Sequence, residues 1–213
     1  MRQLDINGWY KCKIDKQVYK QLTKRSDWQG LKHVFLWLVL LIISGYLACI
    51  SWGTWWAIPA FLVYGNIFMA CNPVWHECGH RTAFKTRWLN EFFYHIGSFM
   101  YNFEPIRWRW SHFHHHSYTL HTNPYDYEIQ VSKPTDLFYV FLMHIPGGNL
   151  FLIFKGILSF HWETIKHALG VTTPVMKDCI PENEISKCRF YSRLHISIWV
   201  CIIYFSVFIS SWL

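Results

Sequence analysis

The chain has 213 residues, of which 52% are hydrophobic and only 15% are charged, whereas about a quarter of the residues of an ordinary soluble domain are charged. This composition argues against a soluble domain. The formal net charge of +7 would suit nucleic acid only if the cations formed a basic face. Instead, Lys and Arg are excluded from two long windows, residues 33–76 and 194–213. We therefore expect an all-α integral membrane protein with no nucleic-acid partner.

Residues 1–32 precede the first of these windows and are polar. A polar stretch of this length, with no small-residue cleavage site after the apolar run, is not typical of a secretory signal. Its basic residues would either meet anionic lipid headgroups or form a solvated charged face. We expect a cytoplasmic N-terminal segment over residues 1–32, helical near the membrane surface, followed by a membrane domain over residues 33–213.

The two windows have room for three transmembrane helices, because a bilayer core of about 30 Å requires roughly 20 apolar residues per helical crossing. The predicted spans are residues 34–50, 55–71 and 195–213. The first two must turn tightly at residues 51–54, where neighbouring tryptophans would anchor the membrane interface. Lys and Arg are frequent before the first span and between the second and the third. This distribution predicts that the N-terminus and the long loop after the second span face the cytoplasm.

A further apolar stretch, residues 137–154, contains no acidic or basic residue and is nearly long enough to cross a membrane. Helix breakers interrupt its middle at residues 146–149, and together with His144 they make a straight crossing costly. The pattern favours two short interfacial helices that lie against the cytoplasmic leaflet.

Two groups of histidines follow the second predicted span. His76 and His80 are four residues apart, so both imidazoles lie on one face of a helix. The second group consists of His112, His115 and His116, which again share one face. Without metal, five clustered imidazoles would be desolvated or would repel one another. The pattern therefore predicts that these five side chains bind metal.

The residue types alone do not fix the metal, because imidazole binds iron, zinc, copper and nickel. Their number is more informative. Five histidines exceed the three protein ligands of a catalytic zinc site, which indicates at least two metal ions or a shared cluster. No Cys-x-x-Cys pair accompanies the histidines, and the seven cysteines are expected to be free thiols. Cys78, two residues after His76, should face away from the metal.

The order of these motifs resembles that of the membrane fatty acid desaturase and hydroxylase family. An H-x-x-x-H box over residues 76–80 follows a paired transmembrane hairpin, and an H-x-x-H-H box follows over residues 112–116. The sequence around the boxes, with F-K-T at residues 84–86 and W-L-N at residues 88–90, resembles bacterial members in particular. The likeness covers about residues 25–213.

This resemblance implies a cytoplasm-facing centre of two iron ions, for which the five boxed histidines would be the ligands. Such a centre activates dioxygen and desaturates, or hydroxylates, an unactivated methylene group of a fatty acyl lipid. Electrons would come from a separate carrier, such as a ferredoxin or a cytochrome b5-type protein, since the chain has no Gly-rich dinucleotide motif. The resemblance implies no catalytic residue beyond the metal ligands.

Other side chains near the boxes are secondary candidates. His121, Asp126 and Glu128 would orient a ligand histidine from outside, or belong to an ordinary solvated loop. Four further histidines that lack box spacing are expected to be structural or surface residues, namely His95, His144, His161 and His167. Three aromatic residues are expected to pack, or in part to line a substrate tunnel, namely Trp108, Trp110 and Phe113.

The family has a third box, another H-x-x-H-H, that has no match in this sequence. We therefore expect the chain to be part of a longer polypeptide and, by itself, to have little or no desaturase activity. Reading the DNA beyond codon 213 for a further hydrophobic pair and a third box tests this expectation. An inactive, truncated metal-binding membrane protein is one alternative.

A membrane zinc metalloprotease is the other alternative, because residues 76–80 also read H-E-x-x-H. In that motif two histidines bind zinc and the glutamate, here Glu77, is the general base. A protease leaves the second group of histidines unexplained and requires a third ligand with an open position. Bound zinc with peptide hydrolysis would favour the protease, whereas bound iron with oxygen consumption would favour the oxygenase.

Overall fold

The computed structural model describes residues 12–118 and 157–210, with the side chains of residues 157–161 and 210 left out. Every regular element in these ranges is helical, which confirms the all-α prediction. The helices in chain order are α1 (Lys16–Leu22), α2 (Asp27–Ile50), α3 (Ala57–Met69), α4 (Cys71–Gly79), α5 (Arg87–Met100), α6 (Pro105–Tyr118), α7 (Ile157–Ala168), α8 (Pro174–Cys179) and α9 (Ile185–Ser210), with a 3-10 turn at Glu182–Glu184.

Three segments of the described chain are long and apolar enough to cross a membrane, as predicted. They are Lys16–Ile50, which includes α1 and α2, Ala57–Gly79, which includes α3 and α4, and Glu182–Ile209. In each segment, at most 22% of the apolar 18-residue stretch is buried within the molecule. Most of this apolar surface is therefore available to lipid. The predicted interfacial stretch, residues 137–154, lies outside the described residues.

The crossing helices α2 and α9 begin earlier than the predicted spans. Helix α2 begins at Asp27, because Ser26 has the extended backbone of a helix cap and Asp27 places a negative charge in the first turn. Helix α2 therefore runs across the boundary between residues 32 and 33, at which we expected the N-terminal segment to end and the membrane domain to begin. Helix α9 begins at Ile185 rather than at residue 195. The predicted spans start later because hydrophobicity in the sequence locates the apolar part of such a helix but not the polar residues at its beginning.

The second crossing segment is divided at Ala70 into α3 and α4. Pro73 causes the division, because a proline nitrogen cannot donate a hydrogen bond to the carbonyl four residues before it. Just before this point, the Ile67 carbonyl accepts hydrogen bonds from the Ala70 amide at 3.2 Å and from Trp37 Nε1 of α2 at 2.9 Å. The first histidine box therefore lies on α4, as a continuation of a membrane-crossing segment that α2 holds in place.

Two hydrophobic cores pack together the helices that surround the two histidine boxes. The larger core buries Trp37, Trp75, Phe84, Tyr94 and Trp108, which come from α2, α4, α5, α6 and the loop before α5. The smaller core joins the start of α6 to α8 and α9, and it consists of Ile106, Met176, Ile180 and Cys188. Helix α6, which carries the second histidine box, therefore packs into both cores.

Candidate metal centre

The end of α4 fixes the position of the first box. The Arg81 amide donates to the Cys78 carbonyl at 2.9 Å. The Thr82 amide donates to the Glu77 carbonyl at 3.0 Å. Together these hydrogen bonds form a Schellman motif, and Arg81 occupies its left-handed position with φ of 60°, which is uncommon for a residue other than glycine. The helix therefore ends at Gly79, and His80, the second histidine of the box, is its C-cap residue.

A close contact between α4 and α5 places the first box against the rest of the molecule. A Cβ atom added to Gly97 of α5 would lie 2.9 Å from the backbone nitrogen of Trp75 and 3.0 Å from its Cα. Only glycine allows this approach. Trp75 is buried and precedes His76, and its ring centroid lies 5.4 Å from that of His112. Trp75 thus contacts both boxes.

The second box lies on α6, whose first turn is capped by a buried carboxylate. Glu104 accepts hydrogen bonds from the amides of Ile106 at 3.0 Å and Arg107 at 2.6 Å, the pattern of an N-cap. Pro105 occupies the first helical position, where its missing amide hydrogen costs nothing. Trp108 in the next turn stacks on Phe103 with ring centroids 3.8 Å apart, which fixes the rotation of the helix.

The two boxes converge on one point. The Nε2 atom of His112 lies 3.1 Å from that of His80 and 3.1 Å from that of His116. His76 completes the group, and one ring nitrogen from each of these four residues lies within 4.8 Å of the others. Nitrogen ligands at 2.0–2.1 Å from one metal ion lie about 2.9–3.4 Å apart. The donor set and its spacing therefore fit a bound metal ion.

His115 is placed next to this group of four rather than within it. Its ring centroid lies 5.7 Å from the centroids of both His112 and His116. His114 follows another direction on α6, where its ring lies 5.5 Å from that of Tyr118. Four of the five predicted ligands are thus brought together, and the fifth is their immediate neighbour.

The protonation state of the site suits metal binding. Burial, followed by the charges of the neighbouring histidines, lowers the pKa of His80 to about 4. His80 is therefore a neutral imidazole near pH 7, with a lone pair available to a metal. The group offers four imidazole nitrogens and no thiol, and imidazole donors suit iron, zinc or copper.

A carboxylate next to the first box has a role that sequence reasoning missed. The Glu77 Oε1 atom lies 3.0 Å from Nδ1 of His76, and Glu77 Oε2 accepts a hydrogen bond from the Thr82 hydroxyl at 2.7 Å. A carboxylate that accepts the outer N–H of a ligand histidine fixes its tautomer and orientation. The sequence assigned this role to Asp126 and Glu128, which lie outside the described residues, as does His121.

A second unpredicted feature is an ion-pair bridge between the boxes. Glu91 of α5 accepts hydrogen bonds from Arg81 Nε, which follows the first box, and from an Arg109 terminal nitrogen on α6, each at 2.9 Å. Burial opposes the ionisation of Glu91, but the charges and hydrogen bonds of Arg109 and Arg81 hold its pKa below the ordinary value. The Arg109 guanidinium also lies 4.1 Å above the ring of Tyr94. The sequence held no signal for this bridge, because its members belong to three separate helices or helix ends.

A cavity of about 400 Å³ lies directly against the histidines. Its lining includes the ring of His80 and the aromatic residues Trp75, Tyr94, Trp110 and Phe113. The predicted packing aromatics therefore divide into two classes. Trp110 and Phe113 line the cavity, whereas Trp108 is buried in the core.

The other described side chains for which the sequence made a prediction are packed against neighbouring side chains. His95 stacks on Tyr191 with ring centroids 4.7 Å apart, and His167 is fully buried. Cys78 is also buried, in the core rather than among the metal-binding nitrogens. The side chains of His144 and His161 lie outside the described residues.

A family model described as fatty acid desaturase matches residues 51–213 of the chain. The match covers well over half of the sequence and includes both histidine boxes. The chain belongs to the fatty acid desaturase family. This membership, with the three apolar segments long enough to cross a membrane, makes it a membrane protein.

Curated members of the desaturase family include similar proteins from cyanobacteria. An sn-1 oleoyl-lipid 12-desaturase of Synechocystis sp. is 30% identical over 133 residues, which cover 60% of this chain and 36% of that protein. An sn-1 acyl-lipid omega-3 desaturase (ferredoxin) of Nostoc sp. is 26% identical over 150 residues, which cover 65% of this chain and 40% of that protein. The chain thus spans at most about two-fifths of the length of these two relatives. No solved structure matches it.

Proposed function

We propose that this protein is a dioxygen-dependent lipid desaturase whose histidine boxes hold a centre of two iron ions. One observation carries the proposal. In a chain of the fatty acid desaturase family, ring nitrogens of His76, His80, His112 and His116 converge beside an aromatic-lined cavity. His115, next to the last two of these, is the fifth ligand that we propose for this chain. When bound, the two ions supply the activation of dioxygen and the removal of hydrogen from a methylene group.

The residues of the chain orient the ligands and the substrate. Glu77 would accept a hydrogen bond from Nδ1–H of His76, which lies 3.0 Å from Oε1, and so leave Nε2 to face the metal. His80 remains neutral because of its burial. The cavity between Trp75 and Phe113 would hold an acyl chain and exclude water, with one methylene group fixed beside the histidines. Such fixed placement, and not the reactivity of the bond, selects the position that reacts.

The substrate we propose is an acyl chain carried by a membrane lipid, and the reaction is desaturation rather than hydroxylation. Both relatives described above are named as desaturases of lipid-linked acyl chains. A chain of this kind can enter sideways from the bilayer. One of the two names specifies ferredoxin, and we propose a ferredoxin as the electron donor in preference to a cytochrome b5-type protein. The N-terminus and the boxes would then face the cytoplasm, where the donor is present.

The zinc protease alternative assigns Glu77 the role of general base. In the structure, this carboxylate is occupied by the Thr82 hydroxyl and by Nδ1 of His76. In addition, four imidazoles converge, which is more than the three protein ligands of a catalytic zinc site. Both observations favour a multi-imidazole oxygenase centre.

The experiment that tests the proposal compares two histidines of the same helix. His112→Ala removes the imidazole at the middle of the cluster, whereas His114→Ala removes one that points elsewhere. After anaerobic loading with ferrous iron, we expect His112→Ala to lose most of the bound iron and His114→Ala to retain it. Equal iron content in the two variants, or preferential zinc binding with peptide hydrolysis, would contradict the proposal.

The reaction is tested in a bacterial host that expresses the native reading frame, read beyond codon 213, together with ferredoxin and its reductase, because residues 1–213 alone are expected to have little or no desaturase activity. Analysis of the host lipids should show acyl chains with an additional double bond, which the His112→Ala variant does not form and the His114→Ala variant does. Hydroxylated acyl chains instead of new double bonds would assign the protein to the hydroxylating branch of the family.

A further inference from the structure

A second group of metal-binding side chains lies two helical turns before the histidine cluster on α6. Glu104, His167 and Cys188 come from the start of α6, the end of α7 and the first turn of α9. Their exposed fractions are 1%, 0% and 0%. One ligand atom from each residue lies within 4.8 Å of the other two. A carboxylate, an imidazole and a thiol thus meet in the interior, shielded from bulk solvent.

The distances fit tetrahedral coordination. The Cys188 Sγ atom lies 3.3 Å from Glu104 Oε2 and 3.7 Å from His167 Nδ1. A zinc ion with a Zn–S bond of about 2.3 Å and Zn–N and Zn–O bonds of about 2.0–2.1 Å separates these donors by about 3.5 Å. The fourth position would be filled by water or by the buried hydroxyl of Ser192, which lies four residues after Cys188 on α9 and has no hydrogen-bond partner among the described residues.

The imidazole is already oriented as a metal ligand. Nε2 of His167 lies 2.8 Å from the Thr173 hydroxyl, and this contact turns Nδ1 towards Cys188. A hydrogen bond to the nitrogen that does not bind the metal is the usual way in which a ligand histidine is held.

A bound cation would balance the negative charge of an ionised Glu104 and an ionised Cys188. Arg107, whose amide donates to Glu104 at 2.6 Å, directs a terminal nitrogen of its guanidinium to Glu163 at 3.3 Å. A divalent cation with one carboxylate and one thiolate is electrically neutral, and such an arrangement is tolerated in an apolar interior.

We propose that Glu104, His167 and Cys188 form a zinc site that joins α6, α7 and α9. Zinc binding forms a Zn–S bond while the thiol proton, and any proton on the carboxyl group, leaves to solvent; no electron is transferred. The site has a structural role, because it fixes the start of the helix that carries the second histidine box. It is separate from the proposed iron centre in both residues and chemistry, so neither assignment depends on the other.

Zinc content is measured on protein purified in detergent from zinc-supplemented cells without chelator. The His76→Ala/His80→Ala background removes two imidazoles from the other centre and so limits competing zinc. We expect about one zinc ion per chain in this background. Adding Cys188→Ser should remove it, whereas the control Cys179→Ser, which changes another buried cysteine on α8, should not.

X-ray absorption at the zinc edge provides a readout that requires no change at the site itself. In the same double-histidine background, the bound zinc should have one sulfur neighbour at about 2.3 Å and nitrogen or oxygen neighbours at about 2.0–2.1 Å. A chain without zinc, or zinc with no sulfur neighbour, would overturn the proposal. The three side chains would then form a metal-free network in which the Cys188 thiol donates to Glu104.

Discussion

The Nε2 atom of His80 lies 3.1 Å from the Nε2 atom of His112, although 32 positions separate the two residues. Helix α5 lies between them in the chain and contributes neither nitrogen. It contacts α4 through Gly97 and is linked to both boxes through Glu91. The geometry of the candidate centre therefore depends on residues that bind no metal, and these residues can be tested separately.

Replacing Gly97 by alanine should separate α4 from α5. The new methyl group would lie 2.9 Å from the Trp75 backbone nitrogen, and backbone cannot move aside as a flexible side chain does. Overpacking of this kind costs about 1–3 kcal/mol. We expect a lower thermal unfolding temperature in detergent and weaker iron binding, because Trp75 directly precedes His76.

The control for this change is Gly65→Ala in α3. A Cβ atom at Gly65 would have no neighbour within 4 Å, and alanine favours the helix by about 0.5–1 kcal/mol over glycine. This variant should be as stable as the unmodified protein or slightly more so. Equal behaviour of the Gly97 and Gly65 variants would show that the α4–α5 contact does not position the box.

Replacing Glu77 by glutamine should weaken metal binding without removing a ligand. The variant keeps the shape of the side chain but loses the negative charge that holds Nδ1 of His76. Loss of such an outer partner typically costs about 10–100-fold in metal affinity. Competition with a chromogenic chelator measures the affinity, and Glu184→Gln, whose carboxylate pairs with Lys187 in the 3-10 turn region, is the control.

The same variant separates the oxygenase from the protease. If Glu77 were the general base of a zinc protease, glutamine would retain the metal and abolish peptide hydrolysis. An unchanged metal affinity together with loss of hydrolysis would therefore refute the outer-ligand role.

The Glu91 bridge should contribute more stability than an exposed ion pair. We expect a double-mutant cycle with Glu91→Gln and Arg109→Gln to give a coupling energy of about 1–3 kcal/mol in urea or thermal unfolding. The same cycle on the exposed pair Glu184 and Lys187, three residues apart, should give about 0.3–0.5 kcal/mol. Similar couplings would mean that the bridge is solvated and does not brace the boxes.

This coupling should also depend on pH in one direction. The pKa of Glu91 lies below its ordinary value of 4.5, so the folded state binds the proton less readily than the unfolded state does. The stabilisation is therefore complete above pH 4.5 and is lost as the pH falls through the lower pKa of the folded protein. Stability curves of the protein and of Glu91→Gln should converge at acidic pH.

The orientation in the membrane can be tested by cysteine labelling. Thr54 lies exposed in the turn between α2 and α3, and Cys12 lies exposed before α1. A membrane-impermeant maleimide should label Thr54→Cys in intact cells, in a background without the native cysteines. Cys12, retained as the sole cysteine of a second variant, should react only after the membrane is permeabilised. The reverse pattern would place the boxes on the opposite side.

The helical class, the three apolar segments and the placing of the histidines of each box on one helical face could be predicted from local spacing, since these features need no knowledge of tertiary contacts. The meeting of His76 and His80 with His112 and His116 was predicted instead from the family resemblance and from the cost of leaving clustered imidazoles without a metal. All five histidines of the boxes stay predictions as metal ligands.

Other features could not be read from the sequence because they are set by distant contacts. The start of α2 at Asp27 depends on a cap, and the Asp27 carboxylate accepts two hydrogen bonds from Thr86, 59 positions away. His167 was expected to be structural or at the surface, and the structure places it in the interior. Its meeting with Cys188 and Glu104 joins residues up to 84 positions apart, for which no spacing rule exists.

The placement of the first box on a continuation of a membrane-crossing segment couples the chemistry to helix length. Each residue inserted into α3 would advance His76 by about 1.5 Å and rotate it by about 100° around the axis. A single insertion would thus turn the imidazole away from α6, while removal of a whole turn would draw it towards the lipid. Members of this lineage should therefore tolerate changes of amino-acid type along α3 far more readily than changes in its number of residues.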